Sequence, residues 1–205
     1  IGVWDVSRRD RQGKRMDDSD TLPLRDGDRV RVYVQLNQPA YVYLVWLDTQ
    51  GAVLPVYPWQ AGQWQRRIED ESPVMHLALP PQLDGGWIMQ VPVDGLESVV
   101  LLARRTPLPD EVDLRQLLTE VAHQELPASS TAIWFQDGDL QSTEQPVLAR
   151  RQRTPDLDHA VPIADPILQM HRRAARILRP HFELIRAISF PVHAGTSPSP
   201  DAKEL

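Results

Sequence analysis

An unbroken run of aromatic, β-branched and aliphatic residues, YVYLVWL, occupies positions 41–47. It is far shorter than the roughly 20 apolar residues that a membrane-spanning helix needs. The run therefore predicts a strand that is buried on both faces, at the centre of a sheet. Turn-forming residues flank it, with Asn37-Gln38-Pro39 before it and Asp48-Thr49-Gln50-Gly51 after it.

The preceding residues, 28–36, alternate strictly between apolar and polar side chains. Val30, Val32, Val34 and Leu36 fall on one face, and the residues between them are mostly polar or charged. This period of two predicts a half-buried strand. We expect it to form a hairpin with the strand at 41–47, turning at Asn37-Gln38-Pro39.

Shorter apolar segments between Gly, Pro and Asp turns predict the remaining strands. Asp94-Gly95 indicates a hairpin between the strands at 87–93 and 97–104. Residues 7–20 contain many charges and few apolar side chains, which predicts a solvated loop. The other strands are expected at 3–6, 52–57, 74–79, 131–136 and, as an edge strand, 140–148.

Two segments have helical spacing of apolar residues. Residues 110–125 are acidic at their start and end before Pro127, as helices prefer. Residues 166–190 begin with Pro166, and Pro180 predicts a kink or a division into two helices. The expected organisation is a β domain at 1–148, a linker at 149–165, a C-terminal helical segment at 166–190 and a disordered tail at 191–205.

Together these elements predict a mainly β fold. The chain of 205 residues contains 19 prolines, which favour short strands and limit helix length. We expect an antiparallel β-sandwich or partly closed barrel of about eight to nine strands. One helix is inserted near its end, and a C-terminal helix or kinked helix pair follows it.

Charge and composition argue against several functions. The net charge of −6 disfavours nucleic-acid binding, which needs clustered Lys and Arg. The absence of cysteine from the sequence excludes disulfides, thiolate metal sites and cysteine nucleophiles. The sequence contains no apolar stretch long enough to span a membrane. Because the chain begins at Ile1 and not Met, we expect it to be a piece of a longer protein, cytoplasmic or alternatively periplasmic.

A search for catalytic and metal-binding patterns gives mostly negative results. The sequence lacks the common nucleophile, zincin and phosphate-loop motifs. Asp26-Gly27-Asp28 and Asp137-Gly138-Asp139 could suggest calcium, but neither continues into a twelve-residue acidic loop, so both predict turns. We expect no enzyme activity, no cofactor and no metal. The six histidines do not have metal-ligand spacing: His76, His123, His159, His171, His181 and His193.

The most distinctive candidate binding residues are the aromatic ones of one loop. Trp59 and Trp64 follow Tyr57 in a segment that contains Gly62. Exposed aromatic side chains on a β domain can stack on sugar rings or anchor a peptide, so Tyr57, Trp59 and Trp64 are candidate ligand-binding residues. The alternative is that they fold back and cap the core.

Other aromatic and basic residues have less specific interpretations. Trp46 and Trp134 lie in apolar strands and are expected in the core. Arg150-Arg151-Gln152-Arg153 lies in the predicted linker and would be accessible to proteases.

Arginines collect on one face of the predicted C-terminal helix, opposite its apolar face. Such a face could bind an acidic partner, or it could be an ordinary solvated face. The candidate partner-binding residues are Arg172, Arg173, Arg176, Arg179 and Arg186.

The order of four features resembles a family of bacterial domains of unknown function. These are the Gly27-Asp28 strand entry with alternating Val30 and Val32, the strand Ala40–Leu44, the Asp48-Thr49-Gln50-Gly51 turn and the exit Val56-Tyr57-Pro58. The resemblance extends over roughly 22–108 and includes the strand that starts after Asp94-Gly95.

Members of that family are typically accessory modules joined to Ser/Thr kinases, caspase-like peptidases or envelope proteins. The resemblance therefore implies a non-catalytic regulatory or protein-interaction module of a larger bacterial signalling or effector protein. Its partner would be another protein or the catalytic domain of its own polypeptide. The alternative is a carbohydrate-binding or small-ligand-binding module that uses the loop tryptophans.

Overall fold

The computed structural model describes residues 2–7, 14–16, 21–60, 63–68, 71–81, 86–122, 132–138, 140 and 166–195. Within these residues the chain forms twelve strands and two helices. In chain order they are β1 (Gly2–Ser7), β2 (Lys14–Arg15), β3 (Leu24–Arg25), β4 (Arg29–Leu47), β5 (Val53–Tyr57), β6 (Trp59–Gln60), β7 (Gln63–Arg67), β8 (Val74–Leu79), β9 (Trp87–Ile88), β10 (Gly95–Arg104), α1 (Leu114–Ala122), β11 (Ile133–Gly138), α2 (Pro166–Leu178) and β12 (Leu184–His193).

Ten of these strands belong to one mixed sheet. Its main path is β11-β12-β10-β4-β1-β2, and β3, β5, β8 and β9 pair with β12 or β4 beside this path. β12 pairs with β3 in parallel, and the other described pairs are antiparallel. The prediction of a mainly β fold is confirmed, and the described strands do not close into a barrel.

The central strand is longer than the sequence suggested. β4 extends over 19 residues without a break, so the predicted hairpin at Asn37-Gln38-Pro39 is wrong. The residue before a proline favours an extended conformation, and Pro39 is tolerated because the pairing with β8 is irregular between Gln35 and Ala40. The first part of β4 pairs with β1, β8 and β9, and its last part pairs with β10 and β5.

One long strand thus serves two halves of the sheet, and its alternating side chains enter two cores. Val32 and Leu44, from the two parts of β4, belong to a first core together with Leu101 and Ile188. Because successive side chains of a strand point to opposite faces, the intervening residues in the last part of β4 enter a second core. That second core holds Tyr43, Val45 and Leu47 of β4 and includes residues of α1 and α2.

The first helix caps this second core. Asp113 precedes α1, and its Oδ1 accepts the backbone N–H of Gln116 at 2.9 Å, which is the usual arrangement of a helix N-cap. The helix therefore begins at Leu114, later than predicted, and its described part ends at Ala122. Its apolar side chain Leu118 is fully buried.

The predicted C-terminal helical segment is wrong beyond Leu178. α2 ends there, and β12 follows as an interior strand between β10 and β11. The helix stops because Pro180 cannot donate a helical hydrogen bond and disfavours the helical conformation of Arg179. The side chains of β12 then alternate, with Ile188 and Phe190 in the first core and Ile185 and Ala187 in the second.

Three further predictions need correction. β9 pairs with β4 and not with β10, so no hairpin forms at Asp94-Gly95. Trp134 is 46% exposed, because β11 is an edge strand with one face toward solvent. Met16, from the segment predicted as a solvated loop, is buried in the first core. Trp46 is buried, as expected.

Several predictions fall outside the described residues. These include most of the charged loop at 7–20, the edge strand beyond Leu140, the linker at 149–165 with Arg150–Arg153, and the part of the tail after Gly195. The first residues of the predicted tail, 191–193, belong to β12.

Candidate functional site

A groove of about 900 Å³ lies beside α1. The β6–β7 hairpin supplies one side. Trp59 lies in β6, Trp64 lies in β7, and Ile68 directly follows β7. The segment 107–115, which connects β10 to α1, supplies the other. The groove is large enough for a small molecule or a few residues of an extended peptide.

Two tryptophans form the inner wall of the groove. Trp59 is buried in the second core, where its ring centroid lies 5.9 Å from that of Tyr43. Trp64 is half-buried and packs edge-on against Trp59 at 4.9 Å between centroids. Its Nε1–H donates to the carbonyl oxygen of Val53 at 3.3 Å, which fixes the ring. Trp59 therefore caps the core, and Trp64 is the tryptophan that remains partly accessible.

Arg67 joins the two sides of the groove. Its guanidinium donates to the carbonyl oxygen of Leu108 at 3.0 Å and to Asp110 Oδ1 at 2.5 Å. It also lies 3.3 Å from Glu71 Oε2. Three charge-assisted contacts from one planar cation hold the two walls at a fixed spacing.

Tyr43 supports this connection from beneath. Its hydroxyl donates to Glu71 and accepts the backbone N–H of Leu108 at 2.7 Å. Burial, followed by the hydrogen bond to Glu71, raises the pKa of the Tyr43 hydroxyl above its ordinary value, so the group stays a neutral donor. The groove is thus built on a hydrogen-bonded base, which a sequence pattern could not reveal because Tyr43 and Leu108 are 65 residues apart.

The rim of the groove combines an apolar side chain with exposed charge. Ile68 is 45% exposed and lines the groove. The side chain of Asp110 is 98% exposed although it pairs with Arg67. Asp113 and Arg115 also line the groove.

The structure brings together two of the three predicted ligand-binding residues. Trp59 and Trp64 line the groove, whereas Tyr57 does not. Tyr57 ends β5 opposite Leu44 and packs against the first core. Alternation alone would place Tyr57 on the same face as Val53, which belongs to the second core. The irregular pairing of β5 with β4 between Leu44 and Val45 lies between these two residues and turns Tyr57 toward the first core.

The five arginines that were predicted to share one helix face do not all lie on α2, because the helix ends at Leu178. Arg172, Arg173 and Arg176 are exposed on the helix and make no ion pair with any other residue that the structure describes. Arg179, just after the helix, lies 3.8 Å from Asp137 of β11. Arg186 is half-buried in β12, so its placement with the helical arginines is wrong.

A buried chain of polar groups connects α2 to the sheet. His171 Nε2 lies 2.8 Å from Ser189 Oγ, which lies 2.5 Å from Ser98 Oγ. The pairing of a histidine with a serine could suggest nucleophilic catalysis. However, all three residues are at most 2% exposed, so a substrate would not reach either hydroxyl. These hydrogen bonds instead anchor α2 to the sheet.

A second cavity, of about 740 Å³, lies apart from the groove. It shares no lining residue with the groove and is bordered by Trp46, Trp87 and the buried carboxylate of Glu97. Glu97 is not among the site residues predicted from the sequence, because its hydrogen-bond partner Trp46 is 51 residues away and the local residue pattern does not distinguish it.

The described part of the chain contains neither a metal-binding cluster nor a helix that could span a membrane. The described residues contain no group of three or more His, Asp or Glu side chains that could hold a metal ion. Neither described helix combines the length and the apolar character that crossing a membrane requires.

The comparison with family models gives one finding. Residues 23–107 match the model of the family described as Domain of unknown function (DUF4384). The predicted resemblance to a family of domains of unknown function is thereby confirmed for this segment, which runs from before β3 to just after β10. No curated protein and no solved structure matches the chain.

Proposed function

We propose that this chain is a non-catalytic protein-interaction module, part of a larger signalling or effector protein, that binds an extended segment of a partner in the groove beside α1. The observation that carries the proposal is the groove itself. Trp64 and Ile68 line one side, Pro109 and Asp110 line the other, and the Arg67 contacts hold the two sides together. A preorganised groove binds a flexible segment without the cost of ordering its own walls.

The apolar part of the groove determines the first property of the partner. Trp64, Ile68 and Pro109 present apolar surface that the fold leaves partly accessible. Burying one large apolar side chain of a partner there would contribute about 1.5–3 kcal/mol. Aromatic walls of this kind commonly serve as pockets for an anchoring side chain.

The charged rim determines the second property. Asp110 and Asp113 bring two carboxylates to the groove, and Glu111 is exposed next to them. Arg67 already neutralises part of this charge, and Arg115 adds one further cation. We therefore expect the preferred segment to place a Lys or Arg close to its apolar anchor.

The arginines of α2 provide a second contact in this proposal. Arg172, Arg173 and Arg176 lie on the exposed face of a helix whose other face is buried. They would meet acidic residues of the partner, which could be a separate protein or the catalytic domain of the same polypeptide. This contact is best studied by point substitution, because deletion from Pro166 onward removes β12 from the sheet.

Selection from a phage library of random linear peptides, with the full chain as bait, tests the proposal. The expected consensus is a large apolar residue close to a Lys or Arg, and the selected peptides should lose binding to the Asp110→Asn variant in part. A consensus rich in Asp and Glu would contradict the groove and favour the α2 arginines. Failure to enrich any sequence would overturn the proposal.

Carbohydrate binding is the second candidate, and the half-buried ring of Trp64 favours it. An indole held in place by a hydrogen bond can stack on a sugar ring. Titration with a panel of soluble oligosaccharides, followed by tryptophan fluorescence, separates the two functions. A saturable spectral change that Trp64→Ala abolishes supports sugar binding, and an unchanged spectrum leaves peptide binding as the function.

A further inference from the structure

The buried carboxylate of Glu97 is an unusual feature of the first half of β10. The residue is 3% exposed, and its Oε2 accepts the indole N–H of Trp46 at 2.6 Å. Among the described residues, Trp46 is the hydrogen-bond donor to this carboxylate. A single neutral donor compensates little of the cost of burying a negative charge. The site therefore has capacity for a further donor or a positive charge.

The space next to Glu97 could accommodate such a group. The cavity of about 740 Å³ is within the range of small-molecule sites. Glu97 and Trp46 border it together with Asp26, Asp48 and the apolar Met89 and Val91. Asp26 accepts the backbone N–H of Val91, which is 65 residues away, and Asp48 accepts those of Gln50 and Ala52 in its own turn. Both carboxylates contribute negative potential to the cavity.

Two indole rings form adjacent walls of the cavity. Trp46 and Trp87 meet at an interplanar angle of 89°, with centroids 6.4 Å apart. The faces of indole rings attract cations, most strongly where water is excluded. Leu54 and Ile88, which are 44% and 56% exposed, lie at the edge of the cavity and would contact an apolar body.

We propose that this cavity binds an organic ammonium ion carried on an apolar body, with the charge between Glu97 and the two indoles. The buried carboxylate and the aromatic walls both select for positive charge, and the rim selects for the apolar part. The proposal is independent of the groove, because the two sites share no residue.

Phenethylammonium and its neutral analogue 2-phenylethanol are suitable probes, since they differ mainly in charge. The titration uses the full chain at about pH 8, because burial raises the pKa of Glu97 to about 7 and the carboxylate is then mostly ionised. Isothermal calorimetry should show the ammonium probe binding about 10- to 100-fold more tightly than the alcohol.

Substitution of Glu97 by Gln tests the role of the charge. Gln is nearly the same size and can still accept the indole N–H, so the fold should be retained. We expect the preference for the ammonium probe to fall to within about threefold of the alcohol. Glu120→Gln, an exposed carboxylate on α1 outside the cavity, is the matched control and should bind as the native chain does.

A second variant, Trp87→Leu, tests the aromatic wall without touching Glu97. It should weaken the ammonium probe several-fold and leave the alcohol nearly unchanged. N-acetyl-lysine methylamide, titrated in parallel, distinguishes a lysine side chain from a free amine as the natural source of the cation. Equal affinity of the native chain for both phenethyl probes, no binding of either, or full retention of the preference in Glu97→Gln would overturn the proposal.

Discussion

Glu97 shows how burial determines the behaviour of a single residue. Desolvation raises the pKa of its carboxyl from 4.5 to about 7, the Trp46 hydrogen bond lowers it in part, and Asp48 raises it further. Because the folded chain holds this proton more tightly than the unfolded chain does, the residue favours folding at low pH. That contribution is fully present below pH 4.5 and is lost as the pH rises through about 7.

Glu97→Gln should therefore flatten the pH dependence of stability. Between pH 4.5 and pH 8 the native chain should lose about 3 kcal/mol of unfolding free energy relative to the variant. Urea unfolding at several pH values measures this difference, and other titrating groups cancel in the comparison. Parallel profiles of the two proteins would contradict the assignment of a raised pKa to Glu97.

At the same scale, the sequence identified some groove residues and missed others. Trp59 and Trp64 were predicted because two aromatic residues in a short Gly-containing loop are conspicuous. Arg67 and Tyr43 were not, because their roles depend on contacts with Leu108 and Asp110, about 40 to 65 residues away along the chain. A single sequence does not record such distant pairs.

At the scale of elements, β11 depends on one glycine at its end. Gly138 has a φ of +74°, and a Cβ there would lie 1.9 Å from the carbonyl oxygen of Glu183. Backbone atoms cannot move away as a flexible side chain can. The close approach fixes the edge strand against the start of β12.

Gly138→Ala should consequently destabilise the protein by more than the positive φ alone requires. Gly27 is a matched control, because its φ is +83° and nothing lies within 4 Å of its added Cβ. We expect Gly27→Ala to cost about 1–2 kcal/mol and Gly138→Ala clearly more. Thermal unfolding of both variants measures the difference, and equal melting temperatures would show that the clash is relieved at no cost.

Elements whose residue pattern fits one type of secondary structure were predictable. Elements whose pattern fits both a strand and a helix were not. Tyr41–Leu47 was identified as a central strand because a continuous apolar run suits a strand buried on both faces, and 97–104 was also identified as a strand. Residues 184–190 were assigned to a helix because Ile185 and Ile188 also fit helical spacing, and residues 191–193 were assigned to the tail. Tertiary pairing with β10 and β11 decided in favour of the strand.

At the scale of the whole molecule, the structural unit is larger than the segment that matches the family. The match ends at residue 107, directly after β10. Yet β10 pairs along its length with β12, from Gly95 with Val192 to Ala103 with Leu184. The second core also requires α1 and α2, so residues far beyond the match complete the fold.

A chain that ends at Leu178 should therefore fail to fold, because it lacks an interior strand and exposes the edge of β10. A chain that ends at Gly195 retains every described core residue and should unfold cooperatively, with a melting temperature within a few degrees of the full chain. Circular dichroism during heating distinguishes the two. A cooperative unfolding transition in the chain that ends at Leu178 would show that β12 is not required for folding.

The proposed role of the groove beside α1 is to bind a segment of a partner protein. The most direct test is the affinity of one selected peptide for the native chain, for Trp64→Ala and for Trp134→Ala, measured by fluorescence anisotropy of the labelled peptide. Trp134 is the matched control, because it is exposed and does not line the groove. We predict a loss of about 10-fold or more in Trp64→Ala and no change in Trp134→Ala. Equal affinity for all three proteins would contradict the claim.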